Sequence, residues 1–181
     1  MADGTTLVLG GARSGKSAVA EALVVAGSSA PVTYVATAEP PGDGDPGWAA
    51  RVAAHRARRP TDWSTVELSA ASDLADTLYG IAGPVMVDSL GLWVARTPDM
   101  AVEQDLLLAA LSARTVRGDR TVVVSEEVGL GVHPPTDAGR RFRDVLGALN
   151  QAVGAVADEV VLVVAGLTIV LGPPVAPGGG R

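Results

Sequence analysis

Residues 10–17, Gly-Gly-Ala-Arg-Ser-Gly-Lys-Ser, constrain this chain more than any other stretch. Gly10, four residues, then Gly15-Lys16-Ser17 fits G-x-x-x-x-G-K-[ST], the spacing of a phosphate-binding loop. The flanks agree with it. Thr5 to Leu9 is a short apolar, β-prone run, and Ala18 to Leu23 reads as helix. Strand, glycine loop and helix start therefore follow in the required order. Glycines at 10, 11 and 15 are expected to let the backbone turn and bring N–H groups to phosphate oxygens. The helix starting near Lys16 points its positive dipole end at the same anion. Lys16 is expected to reach the β- and γ-phosphates, and the Ser17 hydroxyl to sit on Mg²⁺. Lys16 is the only lysine in the chain, so its ammonium is not one of many on a solvated surface.

The 181 residues suffice for one domain with a sizeable core. At 48% hydrophobic residues the chain is globular, not disordered. A net charge of −6 argues against nucleic-acid binding driven by overall positive charge. With no cysteine there is no disulfide, thiolate metal site or Cys nucleophile. Met-Ala-Asp-Gly at the start has neither a basic segment nor an apolar run, so no signal peptide is expected. The longest apolar run, Val160 to Leu171, is too short to span a bilayer and is followed by Gly-Pro-Pro. A nucleotide-binding loop without targeting signals suggests the cytoplasm.

The pattern predicts strands at 5–9, 32–36, 63–68, 85–88, 121–124, 160–164 and 168–171. Helices are predicted at 16–26 (broken by Gly27-Ser28-Ser29), 48–58, 72–80, 102–116 and 137–156. In the last of these, Phe142, Val145, Leu146, Leu149, Val153 and Val156 fall on one stripe. Strands alternating with helices imply a mostly parallel sheet with helices on both faces. The final two strands are too close for a helical crossover, which implies an antiparallel hairpin at one edge. No second domain boundary is evident, so 1–172 is expected to be one nucleotide-binding catalytic domain. Residues 173–181, rich in Pro and Gly, are expected to form a flexible tail.

Asp88 ends an apolar strand, where a P-loop protein keeps its metal-side carboxylate and where open α/β sheets bind ligands. The bland alternative is a helix N-cap for the segment starting at Ser89. His55 lies within Arg51-Val-Ala-Ala-His55-Arg56-Ala57-Arg58-Arg59, a stretch with four of the chain's fourteen basic residues. A positive cluster in an acidic protein suits a polyphosphate, and a neutral imidazole beside it can attack phosphorus. The alternative is a solvated basic helix face with an incidental histidine. Glu126 and Glu127 follow a strand and suit either a base or metal role or ordinary strand-end acids. Asp43 and Asp45 read as loop solubilisers, and His133 receives no role.

Taken together these motifs resemble the bifunctional adenosylcobinamide kinase/adenosylcobinamide-phosphate guanylyltransferase family of cobalamin biosynthesis. The resemblance rests on residues 10–17, on Tyr34-Val-Ala-Thr37-Ala38, on His55-Arg56-Ala57-Arg58-Arg59-Pro60 with Trp63, and on Val87-Asp88-Ser89-Leu90 with Leu92-Trp93. Glu127-Val-Gly-Leu-Gly131, Arg141-Phe-Arg-Asp144, Leu149-Asn-Gln151 and Ala157-Asp-Glu-Val160 extend it over roughly residues 6–171. It implies a RecA-like P-loop α/β fold with a short hairpin, assembled as a homotrimer. It implies two reactions: phosphorylation of adenosylcobinamide by ATP or GTP, then transfer of GMP from GTP to the cobinamide phosphate through a guanylyl-histidine, with Mg²⁺ as cofactor. By the same resemblance His55 is the guanylylated histidine and Lys16 a catalytic residue. Gly10, Gly11, Ala12, Arg13, Ser14, Gly15, Lys16, Ser17, Thr37, Ala38, Glu39, Arg56, Ala57, Arg58, Arg59, Glu67 and Asp88 match nucleotide-contacting positions, with Ser17 and Asp88 toward the metal.

The chain departs from the family's frequent pattern in places. Asp45-Pro46-Gly47-Trp48 lacks an acid seen before the His-bearing helix. Ser89-Leu90-Gly91-Leu92-Trp93 replaces Cys-Leu-Thr-Leu-Trp, and Ser125-Glu126-Glu127 replaces Ser-Asn-Glu. Two other functions fit an intact loop with Asp88: a P-loop kinase of another small molecule, and a non-catalytic GTP-binding module.

Overall fold

The computed structural model describes residues 4–26, 30–39, 46–68 and 74–172. The break at 27–29, Asp43, Asp45, the start of the helix expected at 72–80 and the tail expected at 173–181 lie outside the described residues.

Seven strands form one sheet: β1 (Thr5–Gly10), β2 (Thr33–Ala36), β3 (Ser64–Glu67), β4 (Val85–Asp88), β5 (Thr121–Glu126), β6 (Glu159–Val164) and β7 (Leu167–Leu171). Their order is β3-β2-β4-β5-β1-β6-β7. Every pairing is parallel except β6 with β7, which is the antiparallel edge hairpin the short connection predicts. The helices are α1 (Lys16–Val25), α2 (Pro46–Arg58), α3 (Leu74–Gly80), α4 (Leu90–Arg96), α5 (Gln104–Val116) and α6 (Asp137–Val156).

Strand alternation divides the core in two. Leu7, Val35, Val87 and Val123 face one side and pack against apolar residues of α3, α4, α5 and α6. Val8, Tyr34, Met86, Val122, Val124 and Val161 face the other and pack against Ala20 and Val24 of α1. Central strands are thus apolar on both faces, as a parallel sheet covered by helices requires.

Helices α4 and α5 differ from the sequence expectation. Helix α4 is absent from the predicted set, because Gly91 and only seven residues give little periodic signal. It forms because Ser89 caps it, its hydroxyl accepting the Leu92 N–H at 3.4 Å. The capping alternative for Asp88 therefore falls, since Ser89 fills that role. Helix α5 starts at Gln104, not 102, after a 3₁₀ turn at Pro98–Met100 in which Asp99 and Met100 take positive φ.

Arg114 of α5 is fully buried. It donates to Thr121 Oγ1 at 2.8 Å and to the carbonyls of Leu78 at 3.1 Å, Gly83 at 2.6 Å and Ile81. One guanidinium thereby fixes the end of α3 and the turn into β4 against the start of β5. Burial pulls its pKa down to about 10, partly offset by the Asp119 carboxylate, so it is charged at neutral pH. Arg114→Met removes every donor and strands those carbonyls. It should lower unfolding free energy by about 3 kcal/mol and the melting temperature by roughly 6–12 °C, measurable by denaturant and thermal unfolding.

Candidate active site

The parallel register brings Gly10 level with Glu126 and with Val163, and Asp88 level with Ala36. The carboxyl ends of β1, β2, β4 and β5 thus meet at one sheet edge, and the functional residues collect there.

The loop after β1 is held from several directions. Ser14 N donates to Gly11 O at 3.3 Å, and Lys16 N to Ser14 Oγ at 3.3 Å. From the β6–β7 turn, Gly166 N donates to Ser14 O at 2.8 Å, so the edge hairpin braces the loop. Gly15 takes φ 93°, a conformation that favours glycine. Gly10 is needed for space: a Cβ there would stand 2.4 Å from Ser14 Oγ and 2.9 Å from Val163 O. Gly11 has neither reason, since its φ is ordinary and a Cβ there would meet nothing within 4 Å. Arg13 takes φ 58°, a second positive φ in the loop beside that of Gly15.

A cavity of about 650 Å³ opens between this loop, α2 and the ends of β2, β4 and β5. Of the residues singled out from sequence, Ala12 to Ser17, Ala38, Glu39, His55, Arg56, Arg58, Arg59, Glu67 and Asp88 line it. Gly10, Gly11, Thr37 and Ala57 do not. Thr37 is buried instead, its hydroxyl donating to Ser89 O at 2.6 Å and accepting from Ser89 N at 2.8 Å.

His55 and Asp88 come together across the cavity. His55 Nδ1 lies 3.7 Å from Asp88 Oδ2, and Arg58 Nη2 lies 3.4 Å from the same ring nitrogen. Asp88 Oδ2 also accepts the Tyr34 hydroxyl at 2.9 Å. Burial, reinforced by Asp88, pushes the Tyr34 pKa upward, so the phenol keeps its proton and remains a donor. The Arg59 guanidinium stacks 3.5 Å above the Tyr34 ring and its Nη1 reaches Thr65 Oγ1 at 2.9 Å. Arg56 pairs with Glu67 of β3, and Arg58 with Glu21 of α1 at 3.4 Å, which ties α2 to both neighbours.

Tyr34 and Glu126 line the cavity and were outside the predicted site. Tyr34 stood only in a motif. Glu126 was undecided between a base, a metal role and an idle strand-end acid; it ends β5 with Oε1 at 3.5 Å from Lys16 Nζ. Its neighbour Glu127 turns away and accepts the Gly129 N–H at 2.6 Å. Ser89, Gly91 and Glu126, three separate departures from the family pattern in sequence, meet in one contact. The Ser89 hydroxyl lies 3.0 Å from both Glu126 oxygens, and Gly91 N donates to Oε2 at 3.1 Å.

A glycine loop at a strand-to-helix turn, with a carboxylate ending a second strand of a parallel sheet, defines a P-loop nucleotide-binding protein of the RecA-like type. Flagellar accessory protein FlaH from Methanocaldococcus jannaschii shares this fold, with a TM-score of 0.57 at 14% identity over 99% of this chain and 83% of that one. A family model described as cobinamide kinase / cobinamide phosphate guanyltransferase matches residues 6–171. The chain is 41% identical over 174 residues to the bifunctional adenosylcobalamin biosynthesis protein CobP of Pseudomonas aeruginosa, covering 91% of this chain and 95% of that protein. It is 35% identical over 182 residues to the bifunctional adenosylcobalamin biosynthesis protein CobU of Escherichia coli K12, covering 90% and 97%. The chain belongs to the cobinamide kinase / cobinamide phosphate guanyltransferase family.

Because one loop faces the whole cavity, Lys16→Ala should damage every nucleotide-dependent step together. We expect a loss of at least about 100-fold in kcat/KM, or about 2.7 kcal/mol of transition-state stabilisation, in both phosphorylation and guanylyl transfer assays.

Proposed function

We propose that this chain phosphorylates adenosylcobinamide with ATP or GTP, then transfers GMP from GTP to the product through a guanylylated His55. The observation that carries this reading is the placement of His55, 3.7 Å from Asp88, in the cavity that Lys16 and the glycine loop also line. A nucleotide held by the loop extends its phosphates toward that imidazole.

In the first reaction the acceptor hydroxyl attacks the γ-phosphorus and a nucleoside diphosphate leaves. In the second, His55 Nε2 attacks the α-phosphorus of GTP, the bond to the bridging oxygen breaks, and pyrophosphate departs. A phosphate oxygen of cobinamide phosphate then attacks the same phosphorus, the P–N bond breaks, and His55 is regenerated. Asp88 and Arg58 both lie beside Nδ1, so Nε2 is the ring nitrogen left to attack. As the P–N bond forms, the ring becomes cationic, and the same carboxylate stabilises it. Arg56, Arg58 and Arg59 stabilise charge on the transferring group. The buried Arg59 Nε, without a hydrogen-bond partner among the described residues, suits a ligand oxygen. Thr37 acts as a positioning residue through Ser89 rather than by touching nucleotide.

The donor set fits Mg²⁺. Ser17 and Asp88 offer hard oxygen ligands in one cavity, and no group of three or more His, Cys, Asp or Glu side chains that could hold a metal forms among the described residues. That pattern suits an ion that arrives with nucleotide phosphates and keeps much of its water. The ion, when bound, neutralises phosphate charge.

We further propose one catalytic domain that works in the cytoplasm as a homo-oligomer, a trimer by family resemblance. No helix among the described residues is long and apolar enough to cross a membrane. Leu167, Ile169 and Val170 of β7 are more than half exposed, which favours burial against another copy.

His55→Ala should abolish guanylyl transfer, by at least about 1,000-fold, while phosphorylation of cobinamide stays within about threefold. Separate assays of cobinamide phosphate and cobinamide-GDP formation check this. Retention of guanylyl transfer would remove His55 from the reaction.

A further inference from the structure

We propose that Glu126 is the catalytic base of the phosphorylation step, held by Lys16 until nucleotide arrives and released when phosphate takes the ammonium. The inference rests on the kinase half of the function proposed above.

The carboxylate is built into place. Ser89 Oγ accepts the Leu92 N–H as the cap of α4, so its own hydrogen is free to point at Glu126, 3.0 Å away. Gly91 N donates to Oε2 at 3.1 Å. Position 91 must lack a side chain for this: a Cβ there would stand 2.1 Å from Oε2 and 3.0 Å from the carboxyl carbon. Oε2 is therefore fixed by α4, and Oε1 is the oxygen turned to Lys16 Nζ at 3.5 Å.

That ammonium is the group that binds the β- and γ-phosphates in a P-loop enzyme. An oxygen in contact with it lies beside the γ-phosphorus once nucleotide is loaded. An attacking hydroxyl oxygen must stand about 3–3.5 Å from that phosphorus, within reach of Oε1. Two other carboxylates of the cavity, Glu67 and Asp88, are engaged differently. Glu67 pairs with Arg56 at the β3 edge, and Asp88 Oδ2 takes the Tyr34 proton and faces His55.

The step balances as follows. The acceptor oxygen forms a bond to the γ-phosphorus while its proton passes to Glu126 Oε1. The bond from the γ-phosphorus to the β–γ bridging oxygen breaks and its electron pair leaves with the nucleoside diphosphate. Glu126 then returns the proton to solvent, and its carboxylate pairs again with Lys16. Guanylylation needs no such base, because a ring-nitrogen lone pair attacks phosphorus without first giving up a proton.

The test is Glu126→Gln, which keeps size and an acceptor for Gly91 N–H. Phosphorylation of cobinamide from γ-labelled ATP and guanylylation from α-labelled GTP are measured on one preparation at saturating nucleotide. The ratio of phosphorylation to guanylylation should fall about 100-fold, the scale of a lost general base. A ratio within about threefold of wild type overturns the proposal: with a lowered nucleotide KM it would leave Glu126 as a charge partner of Lys16 only. An equal fall in both rates overturns it as well, because Glu126 would then act by placing Lys16. If the Gln variant fails to fold, Gly91→Ala displaces the same carboxylate and should give the same change in ratio. Wild-type protein that makes neither product refutes the underlying function, an outcome separate from any change in ratio.

Discussion

Parallel pairing of β1 with β5 on one side and β6 on the other is the constraint on which the site depends. It sets Gly10, Glu126 and Val163 side by side, and each does a different job. Gly10 lets the chain leave the sheet past Val163 O; Glu126 faces the lysine of the loop that follows; β6 continues into the hairpin whose Gly166 N–H holds Ser14 O. A one-residue slip would turn every side chain of β1 to the opposite face and take Gly10 out of line with Glu126 and Val163. The geometry of the phosphate loop is therefore guaranteed by the same apolar burial that stabilises the fold.

Chemistry then comes from placing opposite charges around that loop in a protein that is acidic overall. The basic end of α2 supplies arginines and the imidazole, while Asp88 and Glu126 supply carboxylates from neighbouring strand ends. Three cations of the site are paired with carboxylates: Lys16 with Glu126, Arg56 with Glu67, Arg58 with Glu21. Of these only Arg56–Glu67 is exposed on both sides, and an exposed pair contributes at most about 1 kcal/mol. A polyphosphate with several charges can replace them, which prepares the site for its ligand at small energetic cost.

Much of this was legible in sequence because it depends on local rules. The glycine loop, the apolar strands at 85–88 and 121–124, and the stripe of α6 follow from spacing and periodicity, and the likeness to the family follows from the motifs they carry. What was not legible depends on tertiary contacts. Helix α4 exists because Ser89 caps it and Trp93 and Val94 are buried, neither of which a seven-residue segment with an internal glycine announces. Glu126 and Glu127 were indistinguishable as neighbouring acids. Strand β5 runs two residues beyond its apolar stretch, and that extension directs one carboxylate to Lys16 and sends the other to Gly129. Thr37, which the resemblance matches to a nucleotide contact, is buried and its hydroxyl supports Ser89.

The central claim is that a histidine facing a phosphate loop becomes covalently guanylylated. The most direct measurement incubates the protein with Mg²⁺ and GTP labelled at the α- or the γ-phosphate, denatures it, and locates retained label by peptide mass spectrometry. The account predicts label from the α-phosphate and none from the γ-phosphate, on His55, labile in acid and stable in base as a phosphoramidate is. GTP that binds without leaving covalent label, or label on any other residue, would contradict it.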